Sequence, residues 1–234
     1  METLIEVRGL AKTFTLHNQN AARIEVLRDV ALSVAAGECV ALAGASGAGK
    51  STLLRCLFGN YLASRGEIRL RHDGRWVDLA RAAPREIIEL RRSTLGYVSQ
   101  FLRVIPRVAT IDVVAEPLRE LGVDAAAARN RAAAMLARLH LPERLWHLPP
   151  ATFSGGEQQR VNIARGLIAE KPILLLDEPT ASLDLANAER VATLIDAARQ
   201  RGAAVVGIFH DTAVRDRVAT RLFSVATQGL EAIA

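Results

Sequence analysis

The sequence contains few cysteines and few aromatic residues. The two cysteines in a chain of 234 residues, Cys39 and Cys56, exclude a disulfide framework and do not have a metal-binding spacing. Both stand among apolar neighbours and are most simply small core residues. Aromatic residues make up 4% of the chain, whereas hydrophobic residues make up 50%. The core therefore has to be built from alanine, leucine, valine and isoleucine.

Long hydrophobic runs are also missing. The apolar runs, such as residues 173–176 and 203–209, are far shorter than the roughly 20 apolar residues that a membrane-spanning helix needs. Glu2, Glu6 and Arg8 interrupt any signal-peptide pattern at the start. We therefore expect a soluble, cytoplasmic protein with no membrane span of its own, whose role at a membrane would need a partner.

The chain has no block of like charge and almost no lysine. Its formal net charge is +5, from 30 lysines and arginines against 25 acidic residues, and the arginines are scattered. This balance does not demand nucleic-acid binding, so we expect no direct contact with nucleic acid. Lysines number three against twenty-seven arginines, and one of the three, Lys50, follows a run of glycines.

The spacing of apolar residues predicts an α/β fold. Residues 1–40 alternate apolar and polar side chains, as strands with one wet face do. The stretch "GEIRLRHDGRWVDL" predicts a hairpin that turns at Asp73 and Gly74. Buried strands are predicted at residues 38–44, 94–100, 172–179 and 203–211. Helical periodicity after the first and third of these favours a mostly parallel sheet with helices on both faces.

The whole chain, residues 1–234, is predicted to form one domain. Residues 1–100 and 171–234 would form the core together with an antiparallel β-subdomain. Between them, residues 101–170 carry alanine-rich segments with helical period and would form an inserted α-helical subdomain, broken near "LPERLWHLPPATF". The sequence contains neither an internal repeat nor a long linker.

The stretch "GASGAGKST" at residues 44–52 has the composition of a phosphate-binding loop. It fits G-x-x-x-x-G-K-[ST] and lies between a predicted buried strand and a predicted amphipathic helix. Glycines let several backbone N–H groups converge, and the helix N-terminus adds partial positive charge. The residues predicted to bind nucleotide here are Gly44, Ser46, Gly47, Ala48, Gly49, Lys50, Ser51 and Thr52.

Two side chains of this loop have specific predicted tasks. Lys50 carries a compact ammonium on a slim stem, which can reach the β- and γ-phosphates through a narrow ring of backbone where a planar guanidinium fits poorly. Ser51 can offer its hydroxyl to Mg²⁺.

The apolar strand predicted at residues 172–179 ends in two acids, Asp177 and Glu178. A parallel strand would deliver them to the carboxyl edge of the sheet, beside the phosphate loop. There Asp177 is suited to hold Mg²⁺, directly or through water. Glu178 would polarise the attacking water, as a general base or as an orienting group.

A second glycine-containing stretch, "TFSGGEQQR" at residues 152–160, opens a predicted helix. Ser154 and Glu157 have the spacing of a helix capping box. Gly155 and Gly156 directly follow the cap and expose backbone N–H groups at a helix N-terminus, which makes a second phosphate-binding surface.

With these motifs the sequence resembles the nucleotide-binding domains of ATP-binding-cassette (ABC) proteins over essentially its whole length. The series "GASGAGKS", "YVSQ", "FSGGEQQR", "ILLLDEP", "SLD" and "FHD" stands in the family's order. The resemblance implies the P-loop NTPase fold of ABC ATPases, with a mostly parallel core sheet, an antiparallel β-subdomain and an inserted helical subdomain. It also implies Mg²⁺-dependent hydrolysis of ATP.

The resemblance further implies a head-to-tail dimer, of two copies or with a homologous subunit. In that family each ATP lies between one chain's phosphate loop and the other chain's signature helix. Here the signature helix is the one predicted to begin at Ser154. Ser154, Gly155 and Gly156 would then contact the γ-phosphate in trans, and Asp184 would cross the interface. Gln100 would sense both Mg²⁺ and the attacking water.

Two further roles follow from the resemblance. His210 would hold the γ-phosphate and position the water, although a lone histidine at a strand end is more often structural. Phe14 would stack on adenine, where the family often has tyrosine; the alternative is a strand residue packed in the core. Phe153, Glu157 and Ser99 depart from the family's usual leucine, glutamine and proline, and none of these changes removes a phosphate ligand.

Within the family, the stretches "VSQFLRVIPR", "PERLWHLPP", "TFSGGEQQRVNIARG" and "GAAVVGIFHD" resemble the L subunit of the bacterial phosphonate carbon–phosphorus lyase system. This resemblance implies an ATPase that works with soluble lyase subunits, in a system that attaches a phosphonate to the ribose of ATP. The alternative is the ATPase subunit of a lipoprotein or peptide exporter that docks on a membrane permease, because its signature region is similar. Trp146 and His147 are either a partner contact or a packed loop.

A third class, the nucleic-acid-associated ABC ATPases, is disfavoured. Such a protein would carry a long coiled-coil or basic insertion, and the sequence shows neither.

Overall fold

An antiparallel sheet forms one layer of the molecule. The computed structural model describes residues 2–16, 22–103 and 106–225. The sheet has the strand order β2-β1-β4-β5. These strands are β1 (Thr3–Leu16), β2 (Ala22–Ala35), β4 (Arg65–His72) and β5 (Arg75–Asp78). The predicted hairpin is confirmed: Asp73 and Gly74 join β4 to β5 with φ of 46° and 76°, the positive φ values that a two-residue turn of this kind requires. The stretch "TLHNQNAAR" at residues 15–23, whose composition predicts a polar turn between the first two strands, lies largely outside the described residues.

The second sheet is parallel throughout and has the order β6-β7-β8-β3-β9. Its strands are β3 (Cys39–Ala43), β6 (Leu95–Val98), β7 (Ile173–Asp177), β8 (Ala204–Ile208) and β9 (Arg221–Ser224). The four strands predicted from apolar runs are β3, β6, β7 and β8. The fifth, β9, lies at the sheet edge and is largely exposed, so its sequence has no apolar run to predict it.

Seven α-helices and two short 3₁₀ helices are present among the described residues. The α-helices are α1 (Lys50–Leu57), α2 (Pro84–Ser93), α3 (Thr110–Glu120), α4 (Ala125–Arg138), α5 (Gly155–Leu167), α6 (Leu185–Gln200) and α7 (Thr212–Val218). The 3₁₀ helices, Glu143–Leu145 and Pro150–Thr152, fall where a break in the helical pattern is predicted. Sequence periodicity does not predict α2, because only Leu90 among its residues is buried.

The parallel sheet separates two hydrophobic clusters. Leu174 and Leu176 face one cluster, which α3, α4, α5 and α6 complete. Ile173 and Leu175 face the other, which α1 and the antiparallel sheet complete. Burial on both faces explains why β3, β7 and β8 are almost continuously apolar rather than alternating.

The two cysteines are core residues, as predicted. Cys39 and Cys56 are both free and fully buried, one in each hydrophobic cluster. Burial raises the pKa of the Cys39 thiol to about 12 and that of the Cys56 thiol to about 11. Both thiols therefore stay protonated and unreactive at neutral pH.

Helices α3, α4 and α5 pack against one another within the predicted helical segment. The exact division into core and subdomains stays a prediction. Trp146 is half-buried, packs on the hydrophobic cluster and donates its indole N–H to the Leu141 carbonyl at 3.0 Å, which favours the packed-loop alternative. In the described part of the chain, no helix combines the length and apolar character that crossing a membrane requires.

Candidate functional site

The loop between β3 and α1 depends on its glycines. Gly44, Gly47 and Gly49 have φ of 141°, 80° and 90°, a region that side chains disfavour. A Cβ at Gly49 would lie 2.8 Å from a methyl carbon of Leu27 and 2.9 Å from the Val26 carbonyl oxygen. The loop can therefore hold its conformation against β2 only with glycine at this position.

Lys50, the first residue of α1, folds its side chain back over the loop. Its Nζ donates to the carbonyl oxygens of Gly44 at 2.7 Å and Ala45 at 2.8 Å. These contacts place the ammonium beside the loop, and its reach to the phosphates stays a prediction.

A cleft of about 290 Å³ opens above the loop. Most of the predicted nucleotide-binding residues line it together with Glu178 and His210, from the ends of β7 and β8. The lining consists of Val26, Gly44, Ser46, Gly47, Ala48, Gly49, Lys50, Ser51, Thr52, Glu178, Ile208 and His210. Sequence reasoning missed Val26 and Ile208, because an apolar residue in a strand carries no signal that it faces a cleft.

Asp177 lies below this cleft and is 3% exposed. One carboxylate oxygen accepts a hydrogen bond from the Ser51 hydroxyl, and the other accepts one from the Tyr97 hydroxyl, both at 3.2 Å. Burial raises the pKa of Asp177, and these two hydrogen bonds oppose the rise. Burial, followed by the nearby charge of Asp177, raises the pKa of Tyr97 to about 12, so Tyr97 remains a donor at neutral pH.

Glu178 is the point where three predicted residues meet. One carboxylate oxygen lies 2.8 Å from Nε2 of His210, and the other accepts a hydrogen bond from the Gln100 amide at 3.1 Å. Glu178 has φ of 54°, uncommon for a residue other than glycine, and its N–H donates to the Ile208 carbonyl. This turn ends β7 and directs the carboxylate into the cleft.

The stretch predicted as a second phosphate surface begins α5 with a complete capping box. Ser154 accepts from the Glu157 N–H, and Glu157 accepts from both the N–H and the hydroxyl of Ser154. Hydrogen bonds from Ser154 lower the pKa of Glu157. A Cβ at Gly156 would lie 2.9 Å from the Ser182 carbonyl oxygen, so the helix start touches the turn before α6.

Several predicted site residues lie outside the lining of this cleft. Asp184 caps α6 by accepting from the Asn187 N–H at 2.8 Å. Phe14 is half-buried and packs edge-on against Tyr61, with ring centroids 5.2 Å apart and the Lys12 ammonium 4.8 Å from its centroid. The start of α5 is also not among the described residues that line the cleft.

A larger cleft of about 510 Å³ lies beside Gln100, between β6 and the start of the helical segment. Phe101 stands in its wall with 74% of its surface exposed. Five basic side chains line it against two acidic ones among the described residues. The basic residues are Arg55, Arg91, Arg103, Arg165 and Lys171, and the acidic residues are Glu120 and Asp177.

Three of these cations donate hydrogen bonds to neutral groups. Arg55 donates to the Tyr61 hydroxyl, Arg91 to the Asn60 side-chain oxygen, and Lys171 to two backbone carbonyls. Burial lowers the pKa of both Arg91 and Lys171. A fourth cation, Arg165, pairs with the Glu116 carboxylate at 2.7 Å. Because the neutral acceptors of the other three leave their positive charge uncompensated, this cleft favours an anionic occupant.

The phosphate loop follows β3 at the carboxyl edge of a parallel sheet, and the acid pair ends β7, which is separated from β3 by β8 alone. This arrangement defines a P-loop nucleoside triphosphatase fold. The sequence model of the ABC transporter family matches residues 27–181. The chain therefore belongs to the ABC transporter family, as an ATP-binding domain. The predicted family and fold are confirmed.

Two curated relatives illustrate where the chain stands in the family. It is 38% identical over 224 residues to the lipoprotein-releasing system ATP-binding protein LolD of Hyphomonas neptunium, covering 94% of this chain and 95% of that protein. It is 41% identical over 222 residues to the macrolide export ATP-binding/permease protein MacB of Brucella melitensis, covering 95% of this chain. The chain spans about a third of the length of the macrolide export proteins it matches, 33% in this case.

Two solved structures agree in fold and in length. The ATP-binding cassette MJ0796, described as a dimer in a post-hydrolysis state bound to ADP and Pi, has a TM-score of 0.84 at 30% identity and covers 94% of each chain. A second dimeric structure of MJ0796, described as a bacterial ABC transporter cassette, has a TM-score of 0.85 at 29% identity and covers 95% of each chain. Relatives of this kind do not support the predicted membership of a phosphonate lyase system and favour the exporter alternative.

Proposed function

We propose that this protein hydrolyses ATP with Mg²⁺ and drives an export or lipoprotein-release system by docking on a membrane permease. The observation that carries the ATPase assignment is the cleft in which the glycine loop, Lys50, Glu178 and His210 meet. The names of the relatives support the exporter assignment, and they support it better than a phosphonate lyase complex.

Within this proposal the loop binds the phosphates of ATP. The N–H groups at the start of α1 and the Lys50 ammonium compensate their negative charge. Phe14 lies outside the cleft lining and packs against Tyr61. If Phe14 stacks on adenine, the base therefore extends past the residues that line the cleft.

Ser51, Asp177 and Gln100 would hold Mg²⁺. Their hydroxyl, carboxylate and amide oxygens are the donors that Mg²⁺ prefers, and Ser51 already contacts Asp177 at 3.2 Å. When bound, the ion would neutralise charge on the phosphates.

Glu178 would act on the water that attacks the γ-phosphorus, as a general base or by orienting it. Its carboxylate has a fixed direction because His210 and Gln100 contact its two oxygens. His210 would hold the γ-phosphate, and ADP would leave as the bond to the γ-phosphorus breaks.

A second subunit would complete the site. Ser154, Gly155, Gly156 and Asp184 lie outside the cleft lining of their own chain, which suits donation to a partner's cleft. Leu185, next to Asp184, is 78% exposed and offers apolar surface for such a contact. The dimeric structures of MJ0796 also support this arrangement.

The basic cleft beside Gln100 is the surface we propose for the permease. It combines uncompensated cations with the exposed ring of Phe101, and it adjoins the residue that contacts Glu178. A cytoplasmic segment of a permease that carries acidic and apolar side chains would fit this chemistry.

Two measurements test the proposal. The purified chain should release phosphate from ATP in the presence of Mg²⁺, and Glu178→Gln should abolish turnover while retaining ATP binding. A photo-crosslinking residue at Phe101 should capture an integral-membrane permease in cells, whereas the same residue at Ile88, exposed at 64% on α2, should not. Capture of soluble phosphonate lyase subunits at Phe101 would instead restore that alternative.

A further inference from the structure

Two buried amide side chains lie one turn apart on α5. Gln159 is 4% exposed and Asn162 is 6% exposed. Buried amides are costly unless their hydrogen-bonding groups are satisfied, so their partners show what they hold in place. The helix that carries them begins with the signature stretch at Ser154.

Both amides reach the loops that carry the residues around Glu178. Asn162 donates to the Ser99 carbonyl at 2.6 Å and to the Gln159 side-chain oxygen at 3.3 Å. Gln159 donates to the Pro179 carbonyl at 2.9 Å and approaches the Glu178 carbonyl at 3.4 Å. The carbonyls that accept these hydrogen bonds therefore belong to Ser99, directly before Gln100, and to Glu178 and the following Pro179.

The two loops also meet directly, through the hydrogen bond between Gln100 and Glu178 at 3.1 Å. The contacts form a closed circuit: Glu178 to Gln100, along the chain to Ser99, through Asn162 and Gln159, and back to the Glu178 turn. Since these carbonyls lie past the ends of β6 and β7, sheet pairing does not fix their positions. Together with the Glu178 N–H, which donates to the Ile208 carbonyl, the amide pair on α5 holds the backbone of these two loops.

We propose that Asn162 is a positioning residue for ATP hydrolysis. It holds the Ser99 carbonyl so that the Gln100 amide meets the Glu178 carboxylate, and it makes that alignment depend on the placement of the signature helix. The inference rests on the proposed ATPase function. Asn162 acts through Gln100 and Glu178 and touches neither nucleotide nor water.

The main test replaces Asn162 with Asp and, in a second variant, with Leu. Asp keeps the shape but brings a carboxylate, whereas Leu removes the donor without adding charge. Because misplacement of about 1 Å at a reacting group can cost up to about a hundredfold in rate, we expect kcat to fall by about tenfold or more. The KM for ATP should stay within about twofold, since the phosphate loop is untouched.

A matched control separates positioning from simple loss of stability. Thr110 is fully buried and donates to the Leu148 carbonyl at 2.8 Å, away from the cleft. Thr110→Val should lower the melting temperature, as loss of a buried hydrogen bond does, and leave kcat unchanged. Equal kcat values for Asn162→Asp and the wild type would overturn the proposal.

A double-mutant cycle tests the route of action. If Asn162 works through Gln100, then Gln100→Ala with Asn162→Asp should lose no more kcat than Gln100→Ala alone. If the kcat loss of the double variant equals the product of the two single losses, Asn162 acts independently of Gln100, which would overturn the proposed route.

Hydrogen exchange gives a readout that does not depend on hydrolysis. Backbone amides in residues 95–103 should exchange faster in Asn162→Asp than in the wild type, with no change in Thr110→Val. Unchanged exchange would refute positioning by Asn162 even in an active enzyme. An inactive wild type with the expected exchange pattern would refute only the ATPase function.

Discussion

At the scale of single residues, the contacts of Lys50 explain why this position is lysine in an arginine-rich chain. Its ammonium reaches two carbonyls inside its own loop, at 2.7 and 2.8 Å. A guanidinium is wider and planar, and it would have to displace the loop to make both contacts. The choice of cation is therefore set by local geometry and not by charge.

Substitution of Lys50 should remove the stabilisation that ATP confers. For wild-type protein with ATP at about a hundred times its dissociation constant, that stabilisation is about 2.7 kcal/mol. We expect Lys50→Ala to lose most of it and Lys50→Arg to lose a substantial part. Thermal unfolding with and without MgATP measures the difference. An arginine variant with the full wild-type shift would contradict the geometric explanation.

Asp177 illustrates a conflict between stability and function at one residue. Burial raises its pKa, so the folded state binds a proton more tightly than the unfolded chain does. When the pKa of an acid is higher in the folded protein than in the unfolded chain, the free energy of unfolding falls as pH rises. The fall begins near the unfolded pKa of 3.8 and ends above the folded pKa. Metal-free protein should therefore gain stability when this carboxylate is neutralised.

Asp177→Asn should raise the melting temperature of metal-free protein at pH 7 to 8, and the gain over wild type should shrink towards pH 4. The variant should also lose Mg²⁺-dependent ATP hydrolysis. Unfolding curves in chelator across this pH range provide the test. A stability gain that does not change with pH would show that the charge of Asp177 is not its cause.

At the scale of elements, the start of α5 packs against the turn that leads into α6. The added Cβ at Gly156 would meet the Ser182 carbonyl oxygen at 2.9 Å, whereas a Cβ at Gly155 would meet the Ser182 Cβ at an ordinary 3.8 Å. Adjacent glycines thus have different structural requirements. Gly156 permits the close approach of α5 to the turn, whereas the space beside Gly155 would also admit a Cβ.

This difference gives a matched pair of substitutions. Gly156→Ala should cost about 1–3 kcal/mol of stability, because backbone atoms cannot yield as a flexible side chain can. Gly155→Ala should cost little, and alanine favours the helix. Chemical denaturation of both variants measures the contrast. Equal losses would mean that the turn moves freely away from α5.

At the scale of the whole molecule, the exposed residues near the end of the turn before α6 indicate where a second copy would bind. Leu185 is 78% exposed beside Asp184, and the start of α5 touches the same turn. This surface joins the two stretches that lie outside the cleft of their own chain. In the proposed dimer, a single copy would therefore contribute two halves of different sites.

The corresponding prediction concerns assembly. Glu178→Gln should form a dimer when MgATP is added, because binding continues without hydrolysis to release it. Adding Leu185→Asp should prevent that dimer, whereas adding Leu222→Asp, a leucine 54% exposed on edge strand β9, should not. Light scattering after size exclusion gives the masses. A variant that stays monomeric at saturating MgATP, alone and with its permease, would argue against the two-copy site.

The motifs allowed the fold class and most of the cleft to be predicted, because local sequence determines both. The apolar runs of β7 and β8 are typical of strands that a parallel sheet buries on both faces, and the glycine pattern at residues 44–49 is needed for its positive φ values. Tyr97, Gln159 and Asn162 were missed as functional residues. Their role depends on which loop carbonyl or carboxylate lies opposite them, and sequence spacing carries no record of that.

The sequence by itself determined the family, the phosphate loop, the acid pair and the capped signature helix, because each depends on residues that are close together in the chain. Only the tertiary structure decided that Gln100 and His210 flank Glu178, that two amides on α5 tie both loops together, and that cations line a cleft beside them. These contacts join residues up to 78 positions apart. Their formation depends on the order of strands in the sheet and on packing across it, which local chemistry does not specify.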